Sequence, residues 1–215
     1  MTRPEDASGP FSDIDGIAAT QALTRPPGPA ELGDAYSDMI SAFRTFADSL
    51  AGAAAGAPTV RRLERDLRAW TTTLENLAVP DSQALWGRWL DREGRSQGLV
   101  PPIREESATP ASVAGSVVFG RFHAGKNAAV HGGAVALLFD ELFGRMGFSG
   151  STAGRTAYLK TNYRSVAPVD TELGVVGRLE GVEGRKHRFT GELRHGDVIC
   201  ADAECLWVEL RAGQP

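Results

Sequence analysis

The chain has 215 residues, a net charge of −4, and 42% hydrophobic against 23% charged residues. This composition is typical of a globular protein and excludes a fibrous or wholly disordered chain. The sequence has neither the run of about 18 apolar residues that a membrane helix needs nor the basic excess of a nucleic-acid-binding protein. We therefore expect no membrane span and no nucleic-acid partner.

The N-terminal sequence MTRPEDASGP is not followed by the apolar segment of a secretory signal. Cys200 and Cys205 lie five residues apart in a predicted strand, and this odd spacing should direct their side chains to opposite faces. We expect no disulfide between them and a location in the reducing cytoplasm.

The N-terminal part of the chain divides into a tail and a helical extension. Residues 1–32 are rich in proline and small polar residues, which predicts a disordered tail. Helical periodicity begins at Asp34, and we assign residues 33–97 to the extension. Its most regular feature is an apolar seam with spacings of three and four, formed by Val60, Leu63, Leu67, Trp70, Leu74 and Leu77.

The connection between this seam and the preceding helical stretch is short, which favours an antiparallel helix pair. We expect the pair to cover apolar surface of the C-terminal domain. A third short helix is predicted from near Asp81, carrying Trp86 and Trp89.

Residues 98–215 are predicted to form one α+β domain. A strand at Ser112–His123 precedes an apolar helix at His131–Phe148. Four strands follow, separated by gaps of hairpin length that favour antiparallel pairing; they are Thr156–Ser165, Thr171–Leu179, His187–Arg194 and Val198–Leu210. The order predicts an antiparallel sheet wrapped round one buried helix.

The start of this helix carries two successive glycines, Gly132 and Gly133. Bare N–H groups at a helix N-terminus can hold a developing oxyanion. The alternative is a tight turn that needs glycine for its backbone alone.

Asp140 lies within the apolar sequence VALLFDELF of the same helix. A carboxylate there is costly unless it is paired or used in chemistry, so a salt bridge at a subunit contact is the alternative to a catalytic role. Eight residues separate Gly132 from Asp140, about 12 Å along a helix. If both act on one carbonyl, a two-fold dimer is needed.

The pattern His131-Gly-Gly-x6-Asp140-Glu141-x2-Gly144, between a strand and an antiparallel meander, resembles the hotdog-fold acyl-CoA thioesterases of the PaaI type. The stretch RFHAGKNAAVHGGAVALLFDELFG is similar to an actinobacterial branch of that family. The resemblance covers about residues 98–212. It implies a hotdog fold with an N-terminal helical extension, and an enzyme of lipid metabolism that hydrolyses acyl-CoA as a homodimer or homotetramer.

The resemblance also implies roles for individual residues. Asp140 matches the carboxylate that acts as general base or nucleophile, and Gly132 matches the N–H that holds the thioester oxygen, with His131 beside it. Thr156 matches the residue that helps place the water. Asn127 matches more loosely an amide in the preceding loop, where a turn residue is the alternative.

An acyl-CoA substrate needs basic groups for its phosphates. The candidates are Lys126, Arg164, Arg185 and Lys186, and Gly133 joins them as a substrate-binding residue; a solvated hairpin tip is the alternative for the basic turn. We expect no metal, because no His/Cys/Asp cluster has ligand spacing, and no cofactor apart from the CoA of the substrate.

His123 is interpreted as a capping or core histidine, and His187 and His195 as solvated turn residues. Two other functions remain open: a non-catalytic acyl-CoA binder or scaffold, and a hotdog hydratase. The hydratase is disfavoured because the sequence lacks the string Asp-x-Asn-Pro-x-His that it would resemble.

Overall fold

A computed structural model describes residues 29–80, 83–89, 92, 97–148 and 154–211. The N-terminal part contains helices α1 (Ala30–Gly52) and α2 (Ala57–Glu75). The C-terminal part contains β1 (Ile103–Thr109), β2 (Ser112–Val118), α3 (Gly132–Phe148), β3 (Gly154–Tyr163), β4 (Glu172–Glu183), β5 (Lys186–His195) and β6 (Val198–Glu209).

The six strands form one sheet in the order β1-β2-β4-β5-β6-β3, and every neighbouring pair is antiparallel. Gly184 and Gly196 turn the chain between β4, β5 and β6 with φ angles of 58° and 57°, a conformation that glycine adopts without strain. Strand β3 follows α3 in the chain and lies at one edge of the sheet, next to β6. The edge position leaves one side of its backbone without a neighbouring strand.

Helix α3 packs on the concave face of the sheet through residues at helical spacing. Leu138, Phe139, Leu142 and Phe143 are fully buried, and the Phe143 ring stacks on Phe189 of β5 at 5.8 Å. The sheet makes room with glycines: a Cβ at position 191 would lie 3.1 Å from the Phe143 ring, and one at position 177 would lie 2.6 Å from Met146 Sδ. The predicted antiparallel sheet around a buried helix is confirmed.

Two strand predictions need correction. Strand β1 was not predicted, because in its sequence IREESAT only Ile103 is buried and no alternation marks an inner face. The predicted strand Ser112–His123 ends at Val118, and its last residues, Arg121–His123, form a 3₁₀ turn. The remaining strands occur where predicted, with ends shifted by a few residues.

Helix α1 docks on the domain through one face. Ile40 and Ala47 are buried, and Asp48 Oδ1 accepts a hydrogen bond of 2.8 Å from the backbone N–H of Phe122 in the 3₁₀ turn. The helix begins at Ala30, so the last three residues of the predicted tail are helical, while residues 1–28 lie outside the described residues.

The predicted third helix is wrong where it can be tested. Asp81 lies outside the described residues, and residues 83–89 form turns. Trp89 is buried there against Tyr36 of α1, with ring centroids 5.7 Å apart, whereas Trp86 is exposed.

The predicted antiparallel pairing of α1 and α2 is also wrong. The two helices do not pack along their lengths, and none of the residues of α2 is buried. Beside the four-residue linker an open groove of about 480 Å³ separates them. Val60, Leu63 and Leu67 of the apolar seam of α2 line this groove without being buried, and α1 is the helix that docks on the domain. No helix among the described residues is long and apolar enough to cross a membrane.

Candidate active site

His131 caps the start of α3. Its Nδ1 accepts a hydrogen bond of 3.0 Å from the backbone N–H of Gly133, and its carbonyl accepts one of 2.9 Å from Ala134. The N–H of Gly132, within the part of the chain that the structure describes, meets no acceptor. Of the two glycine N–H groups considered as oxyanion donors, the one at Gly132 is thus open and the one at Gly133 is occupied by His131.

Tyr163, at the end of β3, holds the Gly132 peptide from the other side. Its Oη donates a hydrogen bond of 2.8 Å to the Gly132 carbonyl. A Cβ at Gly132 would lie 3.1 Å from that Oη, which explains why glycine suits the position. Nothing in the sequence signals this contact, because the two residues are 31 positions apart and Tyr163 is an exposed aromatic in a polar strand.

An open groove of about 460 Å³ lies beside the start of α3. Gly132, Tyr163 and Arg164 line it, together with backbone and small side chains of residues 165–167 and 200–201. The open N–H of Gly132 thus sits at a cleft of the size that ligands occupy.

Asp140 lies two turns further along α3 and is exposed, contrary to the expectation that the apolar helix would bury it. Its Oδ1 accepts a hydrogen bond of 2.7 Å from Thr156 Oγ1, near the start of β3. The structure therefore brings together the carboxylate and the hydroxyl that the sequence singled out. Glu141, the next residue, instead forms a half-buried ion pair with Arg145 at 2.8 Å.

A buried thiol lies behind this pair. Cys205 of β6 is 2% exposed, and burial, reinforced by the charge of Asp140, raises the pKa of its thiol to about 12, while a hydrogen bond with Thr156 acts in the opposite direction. Burial also raises the pKa of the Cys200 thiol. Both cysteines are free, as predicted, and at neutral pH both thiols are protonated and thus poor nucleophiles.

The two halves of the candidate site are separated within one chain. The Gly132 end of α3 contacts Tyr163, whereas Asp140 contacts Thr156 seven residues earlier on β3. On the helix itself the separation is about 12 Å. One chain therefore does not bring both groups to the same carbonyl.

The basic candidates divide between these two ends. Arg164 lines the groove at Gly132 and is paired with Asp202, with Nε and Oδ2 2.5 Å apart. The hydrogen bonds from Arg164 and then Asn162 lower the pKa of Asp202, and the same bond to Asp202 raises the pKa of Arg164. Lys126 is exposed in the loop before α3.

Arg185 and Lys186 lie at the other end of the sheet. Lys186 pairs with Val208 of β6, and Val208 pairs with Arg155, the neighbour of Thr156 on β3. The backbones at Lys186 and Arg155 are therefore two strand spacings, or about 10 Å, apart. Lys186 is exposed, whereas Arg185 is half-buried and donates a hydrogen bond of 2.6 Å to the Glu209 carbonyl.

The remaining candidates have structural explanations. Asn127 has a φ of 58° in an exposed turn, which supports the alternative interpretation as a turn residue. His123 Nε2 lies 3.1 Å from the Leu99 carbonyl, as expected for a core histidine. His187, predicted to be solvated, is instead half-buried; its Nε2 lies 2.9 Å from Glu209 Oε1. His195 is exposed at the β5–β6 turn. Among the described residues no group of three or more acidic, His or Cys side chains could hold a metal.

Six antiparallel strands wrapped on a central helix define a hotdog-fold protein. No family model matches the chain, and no curated protein matches it. Among solved structures, protein RHA08564, a thioesterase superfamily protein, is 30% identical, covers 86% of this chain and 94% of its own, and superposes with a TM-score of 0.69. The chain belongs to the thioesterase superfamily.

The match to this relative extends well beyond the hotdog domain into the N-terminal helices, since that domain makes up only about half of the chain. Other neighbours cover less. A hypothetical thioesterase with coenzyme A from Streptococcus pneumoniae TIGR4 is 16% identical, with a TM-score of 0.48, and covers 50% of this chain and 85% of its own. Zebra fish thioesterase superfamily member 2 is also 16% identical, with a TM-score of 0.47, covering 51% and 81%.

Proposed function

We propose that the protein is an acyl-CoA thioesterase of the PaaI type that hydrolyses its substrate to the free acid and CoA. Membership of the thioesterase superfamily supports the reaction class. The observation that carries the proposal is the 2.7 Å hydrogen bond between Thr156 and Asp140, which fixes a carboxylate at the surface beside the edge strand β3.

In the proposed mechanism Asp140 is the general base. Thr156 occupies Oδ1, so the second carboxylate oxygen is available to take a proton from water. The water oxygen bonds to the thioester carbonyl carbon, and the carbonyl oxygen becomes an oxyanion that the Gly132 N–H stabilises. The tetrahedral intermediate then collapses, the C–S bond breaks, and Asp140 returns the proton to the departing sulfur.

Two chains are needed for this geometry. Strand β3 has an unpaired edge, and two such edges can pair antiparallel about a two-fold axis. Such pairing brings the Thr156 end of one β3 to the Tyr163 end of the other. Asp140 of one chain then approaches Gly132 of its partner, and the exposed carboxylate becomes part of a closed site.

The proposed position of the substrate follows from the basic residues near the Gly132 end and near the Thr156 end of the site. The groove at Gly132 takes the acyl thioester, and Lys126, Arg164 or the hairpin residues Arg185 and Lys186 bind the CoA phosphates. The pairing of Arg164 with Asp202 and of Arg185 with the Glu209 carbonyl leaves Lys126 and Lys186 as the more accessible cations.

The direct test is Asp140→Asn, assayed by free-thiol release from a panel of acyl-CoAs. Loss of the base should lower kcat at least about a hundredfold with little change in KM. Glu106→Gln on the far edge strand β1 is the matched control, since it removes an exposed carboxylate and should leave kcat unchanged. Near-normal hydrolysis by Asp140→Asn would exclude the proposed site, and binding of acyl-CoA without hydrolysis by the unmodified chain would favour the non-catalytic binder.

Isotope transfer tests for nucleophilic attack by Asp140 followed by attack of water on the Asp140 carbon of the mixed anhydride. In a single turnover in ¹⁸O-water, a general base leaves the label in the released acid alone. Label in the Asp140 side chain would show that the carboxylate attacks the thioester as a nucleophile.

Complementation tests the two-chain site. Asp140→Asn chains and Gly132→Val chains should each be inactive alone. In a random mixture half of the dimers are mixed, and each contains one site with both intact groups, so about a quarter of the full activity should return. A mixture that stays inactive, although both variants are folded and exchange subunits, would place both groups in one chain.

A further inference from the structure

Helix α1 has two apolar faces, and only one of them is buried within the chain. Its buried face, Gly33, Ile40 and Ala47, docks on the domain. The other face, which we name the α1 seam, repeats at spacings typical of helix pairing and consists of Leu32, Met39, Phe43, Phe46 and Leu50. Four of these residues are 41–50% exposed, so the seam is open.

Helix α2 has a second open stripe, the α2 seam, formed by Val60, Leu63, Leu67, Trp70 and Leu74 with Leu77 just beyond the helix end. Trp70, Leu74 and Leu77 are 64–68% exposed, although large apolar side chains on a soluble surface are normally scattered. The spacings of three and four are those of helices packed against another helix, since they keep one narrow stripe facing the partner.

We propose that the α2 seam of one chain packs on the α1 seam of a second copy of this chain, and that the exchange is mutual. The two seams do not meet along their lengths within the chain. They are similar in length, about 27 Å from Leu32 to Leu50 and about 21 Å from Val60 to Leu74, so each can cover the other. This inference does not depend on the proposed catalytic function.

Charge favours this pairing over two copies of the same helix. Helix α1 carries four acidic residues and one arginine, whereas α2 carries four arginines and three acidic residues. The net charges are therefore opposite, and a contact of α1 with α1 would bring like charges together.

The apolar area is sufficient for a stable contact. With about 200 Å² for a fully exposed large side chain, the exposed fractions give about 600 Å² on the α2 seam and about 370 Å² on the α1 seam. In a mutual exchange each chain buries both of its seams, and the combined apolar area of the two seams exceeds the roughly 800 Å² per partner of a standard interface.

Crosslinking between two differently tagged, full-length copies tests the contact. One copy carries Phe43→Cys in the α1 seam, the other Leu67→Cys in the α2 seam, and both are coexpressed, purified through both tags and treated with a bis-maleimide of about 10 Å reach. The native thiols are buried and give a low background. The matched control replaces Leu67→Cys by Thr72→Cys on the opposite side of α2. We expect at least a tenfold higher yield between chains for the seam pair.

Equal yields for Leu67→Cys and Thr72→Cys would overturn the proposal. So would a link confined to one chain when Phe43→Cys and Leu67→Cys are combined in the same copy, because the helices would then fold back on each other. Neither outcome depends on whether the chain hydrolyses acyl-CoA.

Sedimentation velocity provides a second test, made with a proline in β3 of every chain, the reference included, so that pairing of the β3 edges does not hold the copies together. Leu67→Glu with Leu74→Glu should weaken association through the seams at least about a hundredfold, because two charges would enter an apolar contact. Thr72→Glu adds the same side chain outside the seam and should sediment like the reference chain. If residues 1–28 or a lipid surface covers the seam instead, the seam variant associates normally and the proposal is wrong.

Discussion

Thr156 offers the most specific mutational test of the candidate site, because its hydroxyl donates a 2.7 Å hydrogen bond to the proposed base. Thr156→Val keeps the branched shape and removes the donor to Asp140 Oδ1, whereas Thr156→Ser keeps the donor and removes only a methyl group. The pair of variants therefore separates the hydrogen bond from side-chain packing.

The magnitude follows from the bond and its exposure. A hydrogen bond to a charged group contributes about 1.5–3 kcal/mol when it is protected from water. Both Thr156 and Asp140 are exposed in the single chain, where water replaces part of the lost donor, so the expected effect lies below this range, at about 1–1.5 kcal/mol. This corresponds to a five- to twelvefold lower kcat for Thr156→Val, well below the loss expected for Asp140→Asn, and to a nearly normal kcat for Thr156→Ser.

The assay is free-thiol release over a range of acyl-CoA concentrations, with the melting temperature as a check on folding. KM should change little, because Thr156 contacts Asp140 and the CoA phosphates are proposed to bind elsewhere. A Thr156→Val enzyme with normal kcat would refute the positioning role. A Thr156→Ser enzyme as impaired as Thr156→Val would show that the methyl group matters and the hydroxyl does not.

Three further variants test the surroundings of the site. Tyr163→Phe removes the donor to the Gly132 carbonyl, a partly exposed neutral bond of about 0.5–1.5 kcal/mol, and should lower kcat about two- to twelvefold in the same assay; an unchanged kcat would show that the helix start needs no such support. The lowered pKa of Asp202 means that its ionised form stabilises the native state above the unfolded pKa of about 4, and that this contribution is lost as the pH falls through the lower native pKa. Asp202→Asn should therefore reduce the free energy of unfolding by up to about 1 kcal/mol at pH 7, and in urea titrations this loss should shrink as the pH falls below about 4; a loss that does not change with pH would contradict this. The pKa shift of Cys205 has the opposite sign, because its native pKa of about 12 exceeds the unfolded value of 9.0. The stability that the protonated thiol contributes is therefore complete below pH 9, and it falls above pH 9 by up to about 1.4 kcal/mol per pH unit. Cys205→Ala should lose stability less steeply than the unmodified chain between pH 9 and 11, and parallel curves would rule this out.

The hotdog core could be predicted because its elements have clear periodicity. Helix α3 is apolar on the faces that pack on the sheet, and β5 alternates, with Phe189 and Leu193 buried and its charged residues on the other side. Antiparallel order followed from the short turns at Gly184 and Gly196. Asp140 and Thr156 were linked through a family resemblance, and the structure places them in contact.

Other features depend on tertiary contacts that leave no local pattern. Strand β1 forms because its backbone pairs with β2, although six of its seven residues are exposed. The contact of Tyr163 with Gly132 exists because α3 and β3 run in opposite directions, which no spacing reveals. For α2 the periodicity identified an apolar stripe correctly, but a stripe specifies only that a partner is needed. The expected partner, α1 of the same chain, does not contact it along its length.

The exposure of Asp140 is consistent with the proposed function when the site is considered as shared. A carboxylate that is surrounded by bulk water contributes little to thioester hydrolysis as a general base. Its contribution to the rate grows when bulk water is excluded and an oxyanion donor is fixed near the thioester carbonyl. In the single chain Asp140 has the Thr156 hydroxyl but neither of those conditions. Pairing of the β3 edges would supply both at once, because the partner that brings Gly132 to the carbonyl also covers the surface around the carboxylate. Association through β3 would thus build the active site, and a chain whose β3 edge is kept from pairing by a charge or a proline should retain the Thr156–Asp140 bond and lose hydrolysis.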